Sequence, residues 1–156
     1  MRISDILDES VVKTQLPGTT KDEIISNMIE IVGTSKKVLN MDKVKDAIFE
    51  REKIMSTGVG NGFAIPHGKT DAVSDIVAAF AVTAEPIDYQ SLDEQPVRLV
   101  FLLVGKDSMV GPHIKLLSRI SRLMNKEEFR KKLLTAASPK EVLDFFRAEE
   151  ATYFDN

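Results

Sequence analysis

Residues 76–104, with the sequence IVAAFAVTAEPIDYQSLDEQPVRLVFLLV, contain two short apolar runs, at 76–82 and 99–104. Both runs are continuous rather than alternating, which is typical of strands that helices cover on both faces. A buried helix is the competing interpretation, but each run is short for one. Residues 63–65 (FAI) are a candidate third strand. The stretch therefore predicts a central sheet buried between two helical layers.

Helix signals precede these strands. Residues 20–23 (TKDE) have the pattern of a capping box, in which the Thr hydroxyl and the Glu carboxylate each satisfy a free backbone amide. Gly33 is well placed to end the helix that begins there. A second helix is predicted over residues 41–53, because apolar side chains recur on one face. Two helices are thus expected before the sheet.

The last third of the chain is predicted to be helical. Pro112 suits the first turn of a helix that runs to about residue 124. The residues expected on its packed side are Ile114, Leu117, Ile120 and Ser121. Start signals for two more helices are Asn125 with Glu128 and Ser138 with Glu141. Together the elements predict an α/β fold, a three-layer α/β/α sandwich with a small mixed sheet, in one domain over residues 1–156.

Composition limits the possible functions. The chain has 156 residues, of which 43% are hydrophobic and 29% charged, a balance typical of soluble globular domains. Its net charge of −3 argues against a strongly basic nucleic-acid surface. The absence of cysteine excludes a disulfide, a thiolate metal site and a thiol nucleophile. No apolar run approaches a membrane span, and the acidic start MRISDILDES is unlike a signal peptide, so a cytoplasmic location is expected.

The candidate chemistry lies in residues 51–69, REKIMSTGVGNGFAIPHGK, which hold four of the eight glycines. Glycine lets backbone amides approach a ligand closely, and clustered amides can bind an anion. Arg51 supplies a permanent charge on a fork that suits phosphate oxygens. His67 lies near the end of the segment. The residues predicted to bind phosphate oxygens are Ser56, Thr57, Gly58 and Asn61.

Both histidines of the chain, His67 and His113, directly follow a proline. Proline stiffens the backbone that enters each ring, which favours a fixed ring orientation. His113 is expected in the first turn of its helix, where the helix dipole disfavours imidazolium. A neutral imidazole has one nitrogen that can attack and one that can donate. With Arg51, the pair therefore fits phosphohistidine chemistry, in which a neutral nitrogen attacks phosphorus beside fixed donors and positive charge.

Other interpretations stay open at this point. The run from Gly62 to Thr70 looks like a nucleotide-binding P-loop, but five residues rather than four separate its glycines, and a strand follows where a helix is needed. A histidine beside proline and glycine is more often an ordinary loop residue. Two histidines and a carboxylate lack metal-ligand spacing on any one element, so no metal and no cofactor are predicted. The lysines and arginines of residues 115–132 form either a solvated helical face or a basic surface for an acidic carrier.

The segment at residues 51–69 closely resembles the signature of the fructose/mannitol class of phosphotransferase system enzyme IIA domains. The resemblance extends through AEPIDYQSLDEQPVRLVFLLVG and PHIKLLSRISRLM. It implies the α/β/α fold, His67 as the phosphorylated residue, His113 as the second active-site histidine and Arg51 beside the phosphoryl group. It also implies a histidine-phosphorylated donor, HPr or its nitrogen-branch counterpart, and an enzyme IIB acceptor in sugar-specific members.

Residues 60–62 (GNG) and 66–69 (PHGK) are most similar to the nitrogen-regulatory branch of this family. Members of that branch use their phosphorylation state to control partner proteins. Met55 departs from the branch, where a small residue is common. Two alternatives remain: a sugar-uptake enzyme IIA that passes phosphate to an enzyme IIB, and a binding module on the same fold that never carries phosphate. Both histidines and Arg51 are present here, which argues against the second.

Overall fold

The two apolar runs form the central strands of a mixed six-stranded sheet. The computed structural model describes residues 1–154. Its strands are β1 (Val12–Leu16), β2 (Gly58–Gly60), β3 (Phe63–Ala64), β4 (His67–Lys69), β5 (Val77–Ile87) and β6 (Val97–Gly105). Its helices are α1 (Ile3–Ile6), α2 (Lys21–Val32), α3 (Met41–Ile54), α4 (Val110–Met124), α5 (Glu127–Thr135) and α6 (Pro139–Tyr153), with a 3-10 turn at Glu9–Val11. The three predicted strands are confirmed as β3, β5 and β6.

The sheet is built around the antiparallel pair β5 and β6, in which Phe80 lies opposite Phe101. Strand β1 pairs in parallel with the far side of β5. Strands β3 and β4 pair in parallel with the other side of β6, and β2 is antiparallel to β3. Within this register His67 lies opposite Leu103, and Lys69 lies opposite Gly105. The topology thus places His67 beside the end of β6, from which the chain leaves for α4.

Helices cover both faces of the sheet. On one face α2 packs against β5 and α3 against β4, and the two helices contact each other. Helices α5 and α6 also contact each other, and they lie against β6 and β1. Phe146 of α6 meets Phe80 and Phe101 of the sheet, with ring centroids 5.2 Å and 6.1 Å apart. The predicted three-layer α/β/α sandwich is confirmed. Within residues 1–154, no helix combines the length and the apolar character that a membrane span needs.

The helix ends agree with the prediction at Thr20, Gly33 and Ser138 and differ at Asn125. Thr20 and Ser138 cap α2 and α6, each accepting the amide three residues on at 3.2 Å. The prediction that Asn125 starts a helix is wrong. Its N–H donates to the carbonyl of Ser121 at 3.0 Å and thereby ends α4, so α5 begins at Glu127. The two helices follow each other so closely that the last turn of α4 takes this residue.

The packed side of α4 is rotated relative to the prediction. Ile114 is 59% exposed, and Leu117 and Ser121 are only half-buried. The buried positions of the helix are His113, Leu116, Ile120, Leu123 and Met124. The reason is that the His113 ring packs inward on β6, which turns Ile114 toward solvent. An isoleucine predicted for the core therefore lies at the surface.

Candidate active site

Strand β4 lies directly against helix α3. A Cβ on Gly68 would come within 3.2 Å of the backbone carbonyl atoms of Ala47, so the close approach requires glycine at this position. Ala47 lies one helical turn before Arg51, and side chains four residues apart share a helix face. His67 and Lys69 flank Gly68 and share one face of the strand. The contact at Gly68 therefore brings Arg51 to the two polar side chains of β4.

An open cleft of about 710 Å³ lies between α3, β4 and the start of α4. Its charged and titratable lining residues are Glu50, Arg51, Lys53, His67, Lys69, Asp107 and His113. Ile54 and Ile114 also line the cleft and are 79% and 59% exposed. The structure thus brings together the three residues predicted to be catalytic, His67, His113 and Arg51.

The ring of His67 is held in one orientation by the backbone. Its Nδ1 lies 2.7 Å from the carbonyl oxygen of Ile65. Because a carbonyl can only accept, Nδ1 carries the proton, and Nε2 keeps its lone pair. Burial lowers the pKa of His67, the hydrogen bond to Ile65 opposes that effect, and the positive charge of Arg51 lowers the pKa further. The net shift is downward, so the neutral, nucleophilic form is favoured at neutral pH.

The second histidine is buried against the end of β6. A Cβ on Gly105 would lie 2.9 Å from Nδ1 of His113, so the ring occupies space that only glycine leaves. Its centroid is 5.8 Å from that of His67. Within residues 1–154, Nδ1 of His113 has no hydrogen-bond partner. An unpartnered buried acceptor is less costly than an unpartnered N–H, so the favoured tautomer carries its proton on Nε2.

The environment of His113 links the stability of the fold to pH. Burial, and then the positive charges of His67 and Lys69, lower its pKa to about 4. Below a pH of about 6.5 the unfolded chain binds a proton there that the folded chain does not, so the free energy of unfolding falls until the pH reaches about 4. We expect a loss of about 3 kcal/mol from this residue over that range.

Urea unfolding of the wild type and of His113→Gln at pH 7.5, 5.5 and 4.5 measures this loss. The variant is expected to be less stable than the wild type at pH 7.5 but to lose less stability on acidification. The loss that remains is the smaller one caused by protonation of His67, whose pKa is also lowered. Parallel pH curves for the two proteins would contradict the buried neutral state of His113.

Two cations accompany the histidines in the cleft. Nη1 of Arg51 donates to the carbonyl of Met55 at 2.9 Å, which holds the guanidinium at the end of α3. Its remaining N–H groups can serve a ligand. Arg51 and Lys69 both line the cleft with His67, and their positive charges lower the pKa of that ring. The cleft therefore combines a free imidazole nitrogen with groups that stabilise an anion.

The four residues predicted to bind phosphate oxygens do not line this cleft. Thr57 is buried, and both its hydroxyl and its amide donate to the carboxylate of Glu52. The amide of Gly58 donates to the hydroxyl oxygen of Ser56 at 3.1 Å, and that hydroxyl donates to the carbonyl of Tyr89. The amide donors of Thr57 and Gly58 thus have protein partners in this structure, and phosphate binding by these four residues stays a prediction.

Asn61, the fourth of these residues, lies in the turn between β2 and β3. Its φ of 58° is left-handed, and its amide donates to the carboxylate of Asp93 at 3.0 Å. Asparagine is one of the few residues that adopts this conformation readily. The turn geometry therefore gives a structural reason for an asparagine here.

Sequence reasoning did not give a role to two further residues of the cleft, Lys69 and Asp107. The signal for Lys69 was available, since it lies two residues beyond His67 and alternation places both on one strand face. Asp107 lies in the loop between β6 and α4 and had no comparable signal. Its place in the cleft depends on where α4 packs.

The arrangement has the parts needed for transfer of an anionic group to nitrogen. Nε2 of His67 can attack, Arg51 and Lys69 can stabilise the oxygens of the transferred group, and the Nε2–H of His113 can donate to one of them. Within the described residues 1–154, no three histidine, cysteine or carboxylate side chains are placed to hold a metal ion. Fold and site together define a domain that presents a histidine with a free ring nitrogen in a cleft lined by Arg51 and Lys69.

Comparison with known proteins identifies the family. Residues 5–149 match the family model described as "Phosphoenolpyruvate-dependent sugar phosphotransferase system, EIIA 2". The chain belongs to this family of EIIA domains, and its general function is that of a phosphotransfer domain of the phosphotransferase system.

Relatives carry either sugar-specific or nitrogen-regulatory names. A "PTS system fructose-specific EIIA component" of Haloferax volcanii is 37% identical over 142 residues, 91% of this chain and 92% of the relative. A "Nitrogen regulatory protein" of Bradyrhizobium diazoefficiens is 32% identical over 156 residues, covering 97% and 99% of the two chains. A fructose-specific EIIABC component of Bacillus subtilis is 35% identical over 150 residues, which are 96% of this chain but only 24% of that protein.

Among solved structures, nitrogen regulatory protein IIA-Ntr of Neisseria meningitidis superposes with a TM-score of 0.87 at 30% identity. The match covers 92% of this chain and 98% of the other. The similarity confirms the fold along nearly the whole chain.

Proposed function

We propose that this domain is a phosphocarrier in which Nε2 of His67 accepts a phosphoryl group from a histidine-phosphorylated carrier of the HPr type and later passes it on. The observation that supports this most directly is the bond from Nδ1–H of His67 to the carbonyl of Ile65. It places the proton on one nitrogen and leaves the other as a nucleophile. The family membership supports the same class of reaction.

The proposed step breaks one phosphorus–nitrogen bond and forms another. The lone pair on Nε2 of His67 attacks phosphorus in line, and the bonding pair returns to the imidazole nitrogen of the carrier. Arg51 and Lys69 balance the charge on the phosphoryl oxygens, and His113 donates one hydrogen bond to them. The proton on Nδ1 of His67 stays where it is, so the phosphorylated ring is an imidazolium whose N–H remains bonded to the carbonyl of Ile65. A proton on the second ring nitrogen of the carrier lets that ring leave as a neutral imidazole, and no external base is needed. No metal or cofactor enters the step.

We propose that the phosphorylation state of this domain controls a partner protein. Residues 60–62 and 66–69, which are most similar to the nitrogen-regulatory branch, favour this output. The full-length similarity to nitrogen regulatory proteins supports this output. A second candidate is sugar uptake, in which an enzyme IIB accepts the phosphoryl group. The match to a fructose-specific EIIA component, which is shorter but higher in identity at 37%, favours that candidate. In either case the proposal places the domain in the cytoplasm, where a phosphorylated carrier can reach it.

A transfer experiment tests the function and separates the two outputs. The protein is incubated with ³²P-labelled carriers of the sugar type and of the nitrogen type, and the labelled product is offered to a fructose-type enzyme IIB. We expect rapid labelling by at least one carrier. Faster labelling by the nitrogen carrier, without transfer to IIB, supports the regulatory output, whereas efficient transfer to IIB supports sugar uptake. If neither carrier labels the protein, it is a binding module that carries no phosphate.

The rim of the cleft offers a contact surface for the carrier. Ile54 and Ile114 lie on opposite sides of the cleft and are 79% and 59% exposed. Exposed apolar side chains beside a functional site are typical of protein interfaces. We expect Ile54→Asp and Ile114→Asp each to raise the KM for phosphorylated carrier by about tenfold, a loss of about 1.4 kcal/mol in binding.

The matched control is Leu39→Asp, since Leu39 is 66% exposed but does not line the cleft. Steady-state transfer kinetics should show an unchanged KM for this variant. If Leu39→Asp raised the KM as much as the rim variants, the carrier would not bind at this rim.

A further inference from the structure

A buried carboxylate lies directly behind the cleft, on the helix that carries Arg51. Glu52 is 8% exposed. Its Oε2 accepts the amide of Thr57 at 2.7 Å and lies 2.9 Å from Nζ of Lys21. Its Oε1 accepts the hydroxyls of Thr57 and Tyr89. Burial raises the pKa of Tyr89, so that hydroxyl stays protonated as a donor. One carboxylate therefore satisfies four donors, which is the condition under which a buried charge is tolerated.

The bond to Thr57 connects this carboxylate to the nucleophile. The carbonyl of Thr57 accepts the amide of Ile65 at 3.0 Å. The carbonyl of Ile65 in turn accepts Nδ1–H of His67 at 2.7 Å. Three consecutive hydrogen bonds thus lead from Glu52, through two backbone units, to the nitrogen that sets the tautomer of His67.

The same loop orients the cation. Residues 55–57 follow the end of α3, and Met55, the first of them, is extended with φ −164° and ψ 140°. The carbonyl of Met55 accepts Nη1 of Arg51 at 2.9 Å. Because Glu52 holds Thr57, two residues further on, it fixes the path of the loop that presents this carbonyl. The two reactive groups of the cleft therefore depend on one loop, and the loop depends on one carboxylate.

We propose that Glu52 is a positioning residue of the phosphotransfer site: by holding the loop at residues 55–57 it sets both the tautomer of His67 and the direction of Arg51. The kinetic part of this proposal rests on the proposed function, whereas the part that concerns the His67 ring does not. Glu52 does not line the cleft, so it acts through the loop and not on the phosphoryl group.

Two other roles of Glu52 must be separated from positioning. Its negative charge opposes the lowering of the His67 pKa, so the residue could act through charge alone. Its bonds to Lys21 and Tyr89 also contribute to stability. Variants that change geometry, charge and stability one at a time distinguish these roles.

Glu52→Asp keeps the charge but withdraws the carboxylate by one methylene, about 1.5 Å, from the amide of Thr57. Glu52→Gln removes the charge but keeps the length, and its carbonyl oxygen can still accept that amide while the hydroxyls turn to accept its NH₂ group. Tyr89→Phe removes a hydroxyl that contacts the same carboxylate and the Thr57 hydroxyl. It leaves the bond from the Thr57 amide to Glu52 in place and serves as the control for stability. Each variant is compared with the wild type in two measurements.

The first measurement is transfer from ³²P-labelled carrier, with kcat and KM determined separately. The expected result is a fall in kcat of about tenfold or more for Glu52→Asp, with KM within about twofold of the wild type. Glu52→Gln and Tyr89→Phe should keep kcat within about threefold. A kcat that falls in Glu52→Gln but not in Glu52→Asp would show that charge matters and would overturn the proposal. If Glu52→Asp fails to fold, Glu52→Gln is compared with the wild type alone, and a kcat of Glu52→Gln more than threefold below that of the wild type overturns the proposal.

The second measurement is the ¹⁵N spectrum of the imidazole nitrogens, which reports the tautomer without any phosphotransfer. In the wild type and in Glu52→Gln, His67 is expected to be in the Nδ1–H form. In Glu52→Asp it should be a mixture of both forms, while the signals of His113 stay unchanged. An unaltered His67 spectrum in a folded Glu52→Asp protein would overturn the proposal. If the wild type accepts no phosphate at all, the proposed function fails, but this spectrum still tests the positioning role.

Discussion

Replacement of His67 by glutamine is expected to abolish labelling by a phosphorylated carrier, a loss on the order of 10⁴-fold or more, as removal of a nucleophile generally causes. Glutamine can reproduce a hydrogen bond to the carbonyl of Ile65, but its side chain has no nitrogen lone pair that can attack phosphorus. His67 is only half-buried on a short strand. The variant should therefore fold with nearly wild-type stability, and the loss of labelling will report chemistry.

The control for this experiment is His113→Gln, which retains the nucleophile and loses the neighbouring donor. Its labelling should be slowed but still measurable. Labelled His67→Gln protein, or a wild-type label that mapped to His113, would contradict the proposed acceptor. Acid treatment independently checks whether the label is on a histidine. Phosphorus–nitrogen bonds break in acid far more readily than phosphate esters of serine or threonine, so acid should release the label.

Replacement of Arg51 by methionine is expected to lower kcat for phosphoryl transfer by about 10²- to 10³-fold, the range found when one charged donor to a transition state is removed. Arg51 lies in the cleft with His67, and its charge lowers the pKa of that ring. Arg51→Lys should recover only part of the rate, because an ammonium keeps the charge but lacks the planar fork. Rapid-quench transfer assays with both variants give the comparison.

Lys45→Met is the matched control, since Lys45 is an exposed cation on the same helix that does not line the cleft. Its kcat should equal that of the wild type. The bond from Arg51 to Met55 contributes only about 1 kcal/mol to stability, so Arg51→Met should remain folded. A rate for Arg51→Met within threefold of the wild type would show that the guanidinium does not face the transferred group.

Much of the fold follows from local patterns in the sequence. The continuous apolar character of β5 and β6 predicts buried central strands, and both are observed there. The caps at Thr20 and Ser138 depend only on a side-chain oxygen and an amide three residues away. Such signals are visible in sequence because the interacting groups are neighbours along the chain.

Three strands escaped sequence analysis for a physical reason. Strand β1 (Val12–Leu16) alternates and is short, β2 contains two glycines, and β4 is the three-residue segment HGK. Strand β1 has only a short, mostly polar pattern, and the glycines of β2 and β4 lower their intrinsic strand propensity. Each becomes a strand because β5, β6 or β3 offers unpaired backbone groups alongside it.

In the site, too, some features are visible in the sequence and others depend on tertiary packing. The residue types of phosphohistidine chemistry are evident in the sequence as Arg51, His67 and His113, because few residues can attack phosphorus or hold its oxygens. The glycine-rich run between them is misleading when read alone. A Cβ on Gly58 would collide with the hydroxyl of Ser91 and lie 2.9 Å from the ring of Tyr89, so glycine at this position is explained by close protein contacts. Glycine fits a close protein contact as well as it fits an anion.

The sequence alone indicated the residue types of the proposed chemistry and the segments that form the centre of the fold, since both depend on residue identity and on local periodicity. The tertiary structure alone specified where that chemistry takes place. Helix α3 meets β4 at Gly68, and His113 packs on Gly105. These contacts bring residues 51, 67 and 113 into one cleft and turn Thr57 away from it toward Glu52. Contacts between residues so distant along the chain arise from packing of the whole core, which no local pattern encodes.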